Sequence, residues 1–179
     1  MGRDLHRVSL LEEKAEVDRV AFVADVMLGR LARWLRILGY DIIYFHKAPD
    51  DFLIYVTLES GRILMTRDRR LAAEPVLAPR RSFLVENTHL PQQLREVLER
   101  YPVRGKPRCA DCNGLLVEVD REGVKDMVPD YVYLTSPRFW RCPSCGKVLW
   151  EGTHKRNMLQ YLGFNPWRYG EGSSEREGS

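Results

Sequence analysis

The cysteines are the residues whose spacing points most directly to chemistry, because all of them fall into two Cys-x-x-Cys pairs. The pairs are Cys109 with Cys112 and Cys142 with Cys145. A glycine follows each pair, at Gly114 and Gly146, and lets the chain turn tightly so that backbone amides can point at the sulfurs. Four thiolates in two such pairs form the closed tetrahedral set of a structural zinc site. The sequence therefore predicts a zinc ribbon whose Zn²⁺ is structural, with no open position for catalysis.

The spacing of the two pairs also indicates how the ribbon is built. The 29 residues between them exceed the usual span of about 15–20, so we expect an insertion around 121–137. A disulfide framework is not expected, because the chain starts with no apolar signal core. A thioredoxin-type redox motif would need one pair rather than two.

A second candidate set consists of aspartates that follow predicted strands. Asp25 follows the apolar stretch 21–24, Asp68 follows 62–66, and Asp50 lies in the loop after the second predicted strand. Sites in open α/β sheets form at the carboxyl ends of the strands, so we expect these carboxylates to converge. Such a hard-oxygen cluster suits Mg²⁺ or Mn²⁺, which would hold a scissile phosphate and activate a water molecule. The pattern indicates a metal-dependent phosphodiesterase site.

The same three aspartates have a structural interpretation. Asp is a preferred helix N-cap, and each of the three comes just before a predicted helix. Asp51, beside Asp50, leaves the register of the second position open. Glu86, at the end of the fourth predicted strand, is a candidate for a further ligand or an ordinary edge position.

Basic charge is concentrated in two segments. Residues 62–81 contain six arginines against two acids, and residues 138–156 contain five basic residues against one acid, with aromatic residues interleaved. Basic residues that alternate with aromatic residues suit a groove that binds nucleic acid. The alternative is that the charged residues form a solvated face and the tryptophans belong to the ribbon core. The candidate substrate-binding residues are Arg30, Arg33, Arg67, Arg69, Arg141, Lys147, Lys155 and Arg156.

The elements that must position these residues alternate between strand and helix. Strands are predicted at 21–24, 41–45, 62–66 and 82–86, and helices at 27–38, 50–60 and 90–100. Four leucines share one face of the first helix, and three arginines, Arg30, Arg33 and Arg36, are expected to point away from it. This alternation is typical of an α/β domain with a mainly parallel sheet covered on both faces.

The domain organisation follows from these elements. We expect an arm or short helix at 1–20, the α/β domain at 21–103, the ribbon with a following helix at 104–162, and a largely disordered tail at 163–179. The 179 residues are 44% hydrophobic and 30% charged, as in a folded globular protein. No apolar run approaches the roughly 18 residues that span a membrane, so no membrane partner and a cytoplasmic location are expected. The net charge of +3 favours an anionic partner.

Three stretches together resemble a known family. They are DVMLGRLARWLRILGYD at 25–41, GRILMTRD at 61–68 and FWRCPSCGKVLWEGTH at 139–154. From about Ala21 to Met158 the chain resembles the Mut-seven C-terminal RNase domain family, in which a PIN-like fold is fused to a zinc ribbon. The resemblance implies a three-layer, PIN-like nuclease domain that carries acidic metal ligands at strand ends and acts on RNA.

The resemblance also implies roles for individual residues. Asp25 matches the acid after the family's first strand, Asp68 the acid of its Thr-Arg-Asp motif, and Asp50 the acid that opens its second helix. The sequence departs from the family at Lys47, where another Asp is common, and it has no obvious fourth acid unless Glu86 serves.

These features lead to one expected function and two alternatives. We expect a Mg²⁺- or Mn²⁺-dependent ribonuclease whose zinc ribbon assists in binding RNA. One alternative is a non-catalytic RNA-binding or protein-docking module on the same scaffold. A zinc-ribbon accessory factor for transcription or translation is a further alternative, but it leaves the strand-end acids unexplained.

Overall fold

A four-stranded parallel sheet forms the centre of the first domain. The structure, a computed structural model, describes residues 20–77, 80–103 and 105–163, so the predicted arm up to residue 19 and the predicted tail from residue 164 lie outside it. The strands are β1 (Ala21–Ala24), β2 (Asp41–Tyr44), β3 (Ile63–Thr66) and β4 (Ser82–Leu84), in the spatial order β2-β1-β3-β4. All neighbouring strands are parallel, which confirms the predicted sheet.

Helices connect consecutive strands of this sheet. They are α1 (Gly29–Leu38), α2 (Asp50–Ser60) and the short α3 (Arg69–Ala72), and a further helix, α4 (Leu90–Arg100), follows the last strand. The first helix starts two residues later than predicted, because Val26–Leu28 forms a 3₁₀ turn. It ends at Gly39, whose φ of 108° lies in the left-handed region that glycine adopts without steric penalty.

The sheet is covered on both faces, as the three-layer prediction requires. On one face, Phe22 and Met65 pack with the leucines of α1 and with Leu94 and Val97 of α4. On the other face, the alternate strand residues Val23 and Leu64 pack with residues of α2 and α3. Successive strand side chains point to opposite faces, so neighbouring residues of one strand enter two separate cores.

A three-stranded antiparallel sheet forms the ribbon. Its strands are β5 (Val117–Val119), β6 (Phe139–Arg141) and β7 (Val148–Trp150), in the order β5-β6-β7. The predicted insertion is confirmed between β5 and β6, where it forms a 3₁₀ turn at Arg121–Val124 and helix α5 (Asp130–Thr135). Trp140 is buried, in agreement with a core role.

The chain returns to the first domain after the ribbon. Helix α6 (Thr153–Leu162) packs on α4, with Leu159 buried in the same core as α1 and α4. The Arg95 guanidinium lies 5.0 Å from the centre of the Tyr161 ring, a cation–π contact between the two helices. None of the described helices is long and apolar enough to cross a membrane.

One sequence expectation about α1 is wrong, because Arg36 does not point to solvent. It is only 5% exposed. Its guanidinium donates to the carbonyl of Ile42 in β2, at 3.0 and 2.8 Å, and to the carbonyls of Ala110 and Asp111, at 2.9 Å each. A planar guanidinium with five donors can satisfy several carbonyls at once, and this explains why a charged residue is buried here. Arg36 therefore fastens the first cysteine pair to α1 and β2.

A second set of polar contacts surrounds this junction. The Asn113 amide accepts a hydrogen bond from the Ile42 N–H at 3.1 Å and donates to the Asp41 carboxylate at 2.8 Å. The Arg62 guanidinium donates to the same carboxylate at 2.8 Å. We call Arg36, Asp41 and Asn113 the interdomain latch, because they join the α/β domain to the ribbon.

Candidate metal centre and active site

The four cysteines meet in the ribbon, as their spacing predicts. Their sulfur atoms all lie within 4.8 Å of one another. The Cys109 and Cys145 sulfurs are 3.7 Å apart, and those of Cys112 and Cys142 are 3.4 Å apart. Four Zn–S bonds of about 2.3 Å at tetrahedral angles would hold the sulfurs about 3.8 Å apart. The thiols therefore fit a tetrahedral zinc ion with no large rearrangement.

Both cysteine pairs are built on the same backbone turn. In each turn the N–H of the first cysteine donates to the carbonyl five residues on, at 2.7 Å for Cys109 and 2.9 Å for Cys142. The residue four positions after the first cysteine has a positive φ, 68° at Asn113 and 75° at Gly146. A side chain at Gly114 would start only 3.0 Å from the Cys142 sulfur, so glycine is needed where the two turns meet.

The environment of Cys142 favours its thiolate form. Burial acts to raise the pKa of this thiol, but the backbone N–H groups of Cys145 and Ser144 and the neighbouring thiols lower it to about 7. A thiolate that is accessible near neutral pH is the form that binds metal.

Asp25 lies at the carboxyl end of β1 and is only 5% exposed. Its Oδ2 accepts a hydrogen bond of 2.6 Å from the hydroxyl of Thr66, the last residue of the adjacent strand β3. Its side chain makes no capping hydrogen bond to the 3₁₀ turn that follows. The capping interpretation therefore does not account for Asp25.

Asp68 has a clear structural role. Its Oδ1 accepts hydrogen bonds from the backbone N–H groups of Arg70, at 2.7 Å, and Leu71, at 3.2 Å, and so caps the N-terminus of α3. Its own N–H donates to the Thr66 hydroxyl at 2.9 Å. Asp25 and Asp68 are thus linked through Thr66 at the carboxyl ends of neighbouring parallel strands.

Thr66 is the residue of this site that the sequence reasoning missed. It is fully buried, and its hydroxyl donates to Asp25 while it accepts from the Asp68 backbone. The available signal was its place as the first residue of the Thr-Arg-Asp motif, at the end of an apolar strand.

The other candidate acids lie at more exposed positions. Asp50 is exposed in the first turn of α2, after Pro49 at the N-cap, while Asp51 accepts a hydrogen bond of 2.9 Å from the Phe52 N–H. Glu86 is exposed beyond β4 and pairs with Arg69 at 3.2 Å. Among the described residues, no group of acids or histidines brings three ligand atoms as close together as the cysteines do.

The candidate substrate-binding residues divide by environment. Three are exposed and make no ion pair with another described residue: Arg30, Arg141 and Arg156. Arg33 and Lys147 are also exposed, and both pair with Asp111, Arg33 at 2.8 Å. Because Arg33 belongs to α1 and Lys147 to the ribbon, this carboxylate brings cations of the two domains together.

The remaining three candidates are more enclosed or already paired. Arg69 pairs with Glu86, and Arg67 is half-buried, with an Nε that has no hydrogen-bond partner in the described structure. Burial lowers the pKa of Lys155 to about 8. The ammonium group of Lys155 donates to the Trp150 carbonyl at 2.9 Å and lies 6.0 Å from the centre of the Trp140 ring. Lys155 therefore contributes to the packing of the ribbon.

The fold places the chain in a class of proteins in which a three-layer α/β domain is joined to a small ribbon. Here Thr66 links Asp25 and Asp68 at the strand ends, and the four clustered cysteines of the ribbon could bind a metal ion. The family model of the Mut7-C RNAse domain matches residues 20–162, and the chain belongs to that family. The match covers both the α/β domain and the ribbon, and it confirms the resemblance seen in the sequence motifs. A search of curated proteins and a search of solved structures each found no match.

Proposed function

We propose that the protein is a metal-dependent ribonuclease that hydrolyses phosphodiester bonds of RNA at the strand-end aspartates. Membership of the Mut7-C RNAse domain family supports a nuclease or RNA-related function. The observation that carries the catalytic part is the pair of hydrogen bonds at Thr66, which holds Asp25 and Asp68 together at the edge where parallel α/β sheets place their active sites.

The state of Asp25 is what a metal ligand requires. A buried carboxylate needs a compensating charge, and Asp25 forms no ion pair with another described residue. One of its oxygens is held by Thr66, and the other accepts no hydrogen bond within the described structure. Mg²⁺ typically binds through one or two carboxylates and retains several waters, so Asp25 and Asp68 supply carboxylates in the number that such an ion needs.

Other residues would bind the RNA or orient the aspartates. A bound Mg²⁺ or Mn²⁺ would supply an activated water and stabilise the charge that develops on phosphate. Thr66 orients the Asp25 carboxylate, and Asp50 adds negative charge at the same end of the sheet. Arg30, Arg33 and Lys147 would hold the RNA backbone along α1 and onto the ribbon.

The test is a cleavage assay on labelled single-stranded and structured RNA, with Mn²⁺ or with EDTA. Wild-type protein should give metal-dependent products, and Asp25→Asn should abolish them while the fold and zinc content stay unchanged. Asp120→Asn is the matched control, because it removes an exposed carboxylate of the ribbon insertion. Cleavage by Asp25→Asn at the wild-type rate would show that the site is elsewhere.

A second function, RNA binding without cleavage, is favoured by a specific observation. One oxygen of Asp68 is committed to capping α3, and the strand-end acids do not form a compact ligand group within the described residues. A binding module would retain RNA with an affinity that falls steeply with salt, would not require Mn²⁺ and would give no products. Tight Mn²⁺ binding that is lost in Asp25→Asn would favour the nuclease over this alternative.

A further inference from the structure

The ribbon insertion between β5 and β6 exposes three large apolar side chains. Met127, Tyr131 and Leu134 are 46%, 77% and 70% exposed. Tyr131 and Leu134 are three residues apart in α5 and so lie on the same face of that helix. Neighbouring exposed apolar side chains of this size mark interaction sites more often than isolated ones do. We call these three residues the insertion patch.

The patch belongs to a firmly held structure. The Arg121 guanidinium donates to the carbonyls of Tyr133, Leu134 and Ser136, at 2.8, 3.2 and 2.9 Å. These bonds satisfy carbonyls at the end of α5 that the helix itself leaves unpaired. The Tyr133 hydroxyl donates to Glu122 at 2.8 Å, and Val124 and Val128 pack with Phe139 in the ribbon core. The apolar side chains are therefore presented on a formed surface.

A groove lies between the start and the end of the insertion. It has a volume of about 650 Å³ and is lined by residues 118–123 on one side and 137–139 on the other. Arg121 connects the two features, because it lines the groove and also holds the end of α5. The groove and the end of α5 are thus joined by one side chain.

The charge around the patch is opposite to that of the chain as a whole. Residues 118–130 contain five carboxylates and two basic side chains, in a chain of net charge +3. Asp120, Asp126 and Asp130 form no ion pair with another described residue. Arg121, in contrast, is engaged by backbone carbonyls. Arg138 also lines the groove and pairs with Glu118 at 3.8 Å. With it counted, five carboxylates face three basic side chains, and this balance disfavours a phosphate backbone.

We propose that the insertion patch and its groove bind a basic, amphipathic segment of a partner protein. The apolar side chains of the segment would cover Tyr131 and Leu134, and its Lys or Arg side chains would pair with Asp120, Asp126 and Asp130. The chain's own segments outside the described structure do not match this charge. Residues 1–19 carry four basic and five acidic residues, and residues 164–179 carry two and three. The patch could serve this role whether or not the α/β domain cleaves RNA.

The test measures binding of a defined probe to the full-length, zinc-loaded protein by fluorescence anisotropy. The probe is a labelled peptide of leucine and lysine, about 14 residues or four helical turns long, with all leucines on one face. A scrambled peptide of the same composition and a leucine–glutamate peptide serve as controls. Leu134→Ser, Tyr131→Ser and Asp126→Asn are compared with Tyr55→Ser, which removes a 58% exposed tyrosine on α2, outside the patch.

The amphipathic basic peptide should bind saturably, and each patch variant should weaken it by about tenfold, whereas Tyr55→Ser should not. The scrambled and acidic peptides should bind much more weakly. Absence of saturable binding, or equal binding to wild type and the patch variants, would overturn the proposal. So would displacement of the peptide by RNA, or a self-association of the chain that Leu134→Ser abolishes, because the occupant would then be RNA or a second copy.

Discussion

At the scale of single residues, one hydroxyl links the two strand-end aspartates. Thr66 donates to the buried Asp25 carboxylate and accepts from the Asp68 N–H, so it links the two acids without itself being an acid. Under the proposed function, Thr66 is a positioning residue, because it acts through Asp25 and not on the substrate. Its role is separable from folding by a conservative substitution.

Thr66→Val should lower cleavage by about 10- to 100-fold, because the Asp25 carboxylate loses the group that orients it. It should also lower the free energy of unfolding by about 1–2 kcal/mol, since the Asp68 N–H loses its acceptor. Thr66→Ser, which keeps the hydroxyl, should retain most of the cleavage activity and most of the free energy of unfolding. A Mn²⁺ titration distinguishes positioning from mere destabilisation. Unchanged Mn²⁺ affinity in Thr66→Val would contradict the positioning role.

Two substitutions of Asp68 should separate its effect on stability from its effect on cleavage. Asp68→Asn keeps an oxygen that can accept from the Arg70 and Leu71 N–H groups, so its free energy of unfolding should stay within a few tenths of a kcal/mol of wild type. Asp68→Ala removes the cap and should lose about 1 kcal/mol. Both should lose cleavage activity if the carboxylate acts at the site. Urea unfolding and RNA cleavage measure the two effects. Full activity in Asp68→Asn would leave Asp68 with the capping role alone.

At the scale of elements, α1 supports both domains. Its leucines cover the sheet, and its last turn carries Arg36, which bonds to β2 and to the first cysteine turn. At the same end of the helix, Gly39 and Gly105 approach so closely that a Cβ at either position would lie within 2.3 Å of the other's carbonyl oxygen. The ribbon is therefore packed directly against the helix.

Arg36→Met should lower the free energy of unfolding by about 3 kcal/mol, because it leaves the carbonyls of Ile42, Ala110 and Asp111 without their donor. Arg30→Met is the matched control, since Arg30 lies on the same helix but is exposed. The free energy of unfolding of Arg30→Met should stay within about 0.5 kcal/mol of the wild-type value. Urea unfolding of both variants measures the difference, and similar values for the two would show that the latch contributes little.

Asp41 of the interdomain latch should also make the free energy of unfolding depend on pH in the acid range. Burial acts to raise the pKa of this carboxyl, but hydrogen bonds from Arg62 and Asn113 and the charge of Arg108 hold it below its usual 3.8. The stabilisation is therefore complete above about pH 5 and is lost as the pH falls through the folded-state pKa.

Asp41→Asn should lower the free energy of unfolding by about 1–2 kcal/mol at pH 7, and the gap to wild type should close on acidification below pH 4. Asp51→Asn changes an exposed aspartate outside the latch and serves as the control. Unfolding curves at a series of pH values measure the gap. A gap that stays constant into acid would show that the Asp41 charge does not stabilise the fold.

At the scale of the whole molecule, the cysteine centre and the α/β domain form a connected structure. The first cysteine turn provides the carbonyls that Arg36 binds and the Asn113 side chain that binds β2. Helix α6 then packs on α4, so the ribbon is anchored to the first domain on both sides of its sequence. We therefore expect removal of the zinc ion that the cysteines would hold to affect β2, outside the ribbon.

Chelation of zinc should speed hydrogen exchange at the Ile42 amide by about tenfold or more, because its acceptor is Asn113 in the cysteine turn. The Leu64 amide, which donates to the Arg81 carbonyl on the far side of the sheet, should change much less. Exchange followed by NMR with and without chelator gives both rates. Equal protection of Ile42 in the two states would contradict coupling between zinc and the sheet.

Features that depend on neighbouring residues could be predicted from the sequence alone. The alternation of apolar stretches and helical periods predicted the parallel sheet, and the bounds of α4 agree with those expected. The Cys-x-x-Cys spacing predicted the four-sulfur cluster, since both pairs form their turns from local backbone bonds. Motif similarity located the family, which the match over 20–162 confirmed. Each of these signals lies within a few neighbouring residues or within a fixed motif.

Contacts between polar groups that are far apart in the chain could not be predicted from the sequence. Periodicity placed Arg36 on the polar side of α1, but carbonyls 74 and 75 residues further on draw it into the interior. Asp25 and Thr66 are 41 residues apart, and their contact exists only because β1 and β3 are neighbours in the sheet. The local sequence pattern predicts which face of a helix or strand a side chain occupies. Its hydrogen-bond partners depend on how separate elements pack. These polar contacts therefore became visible only in the folded structure.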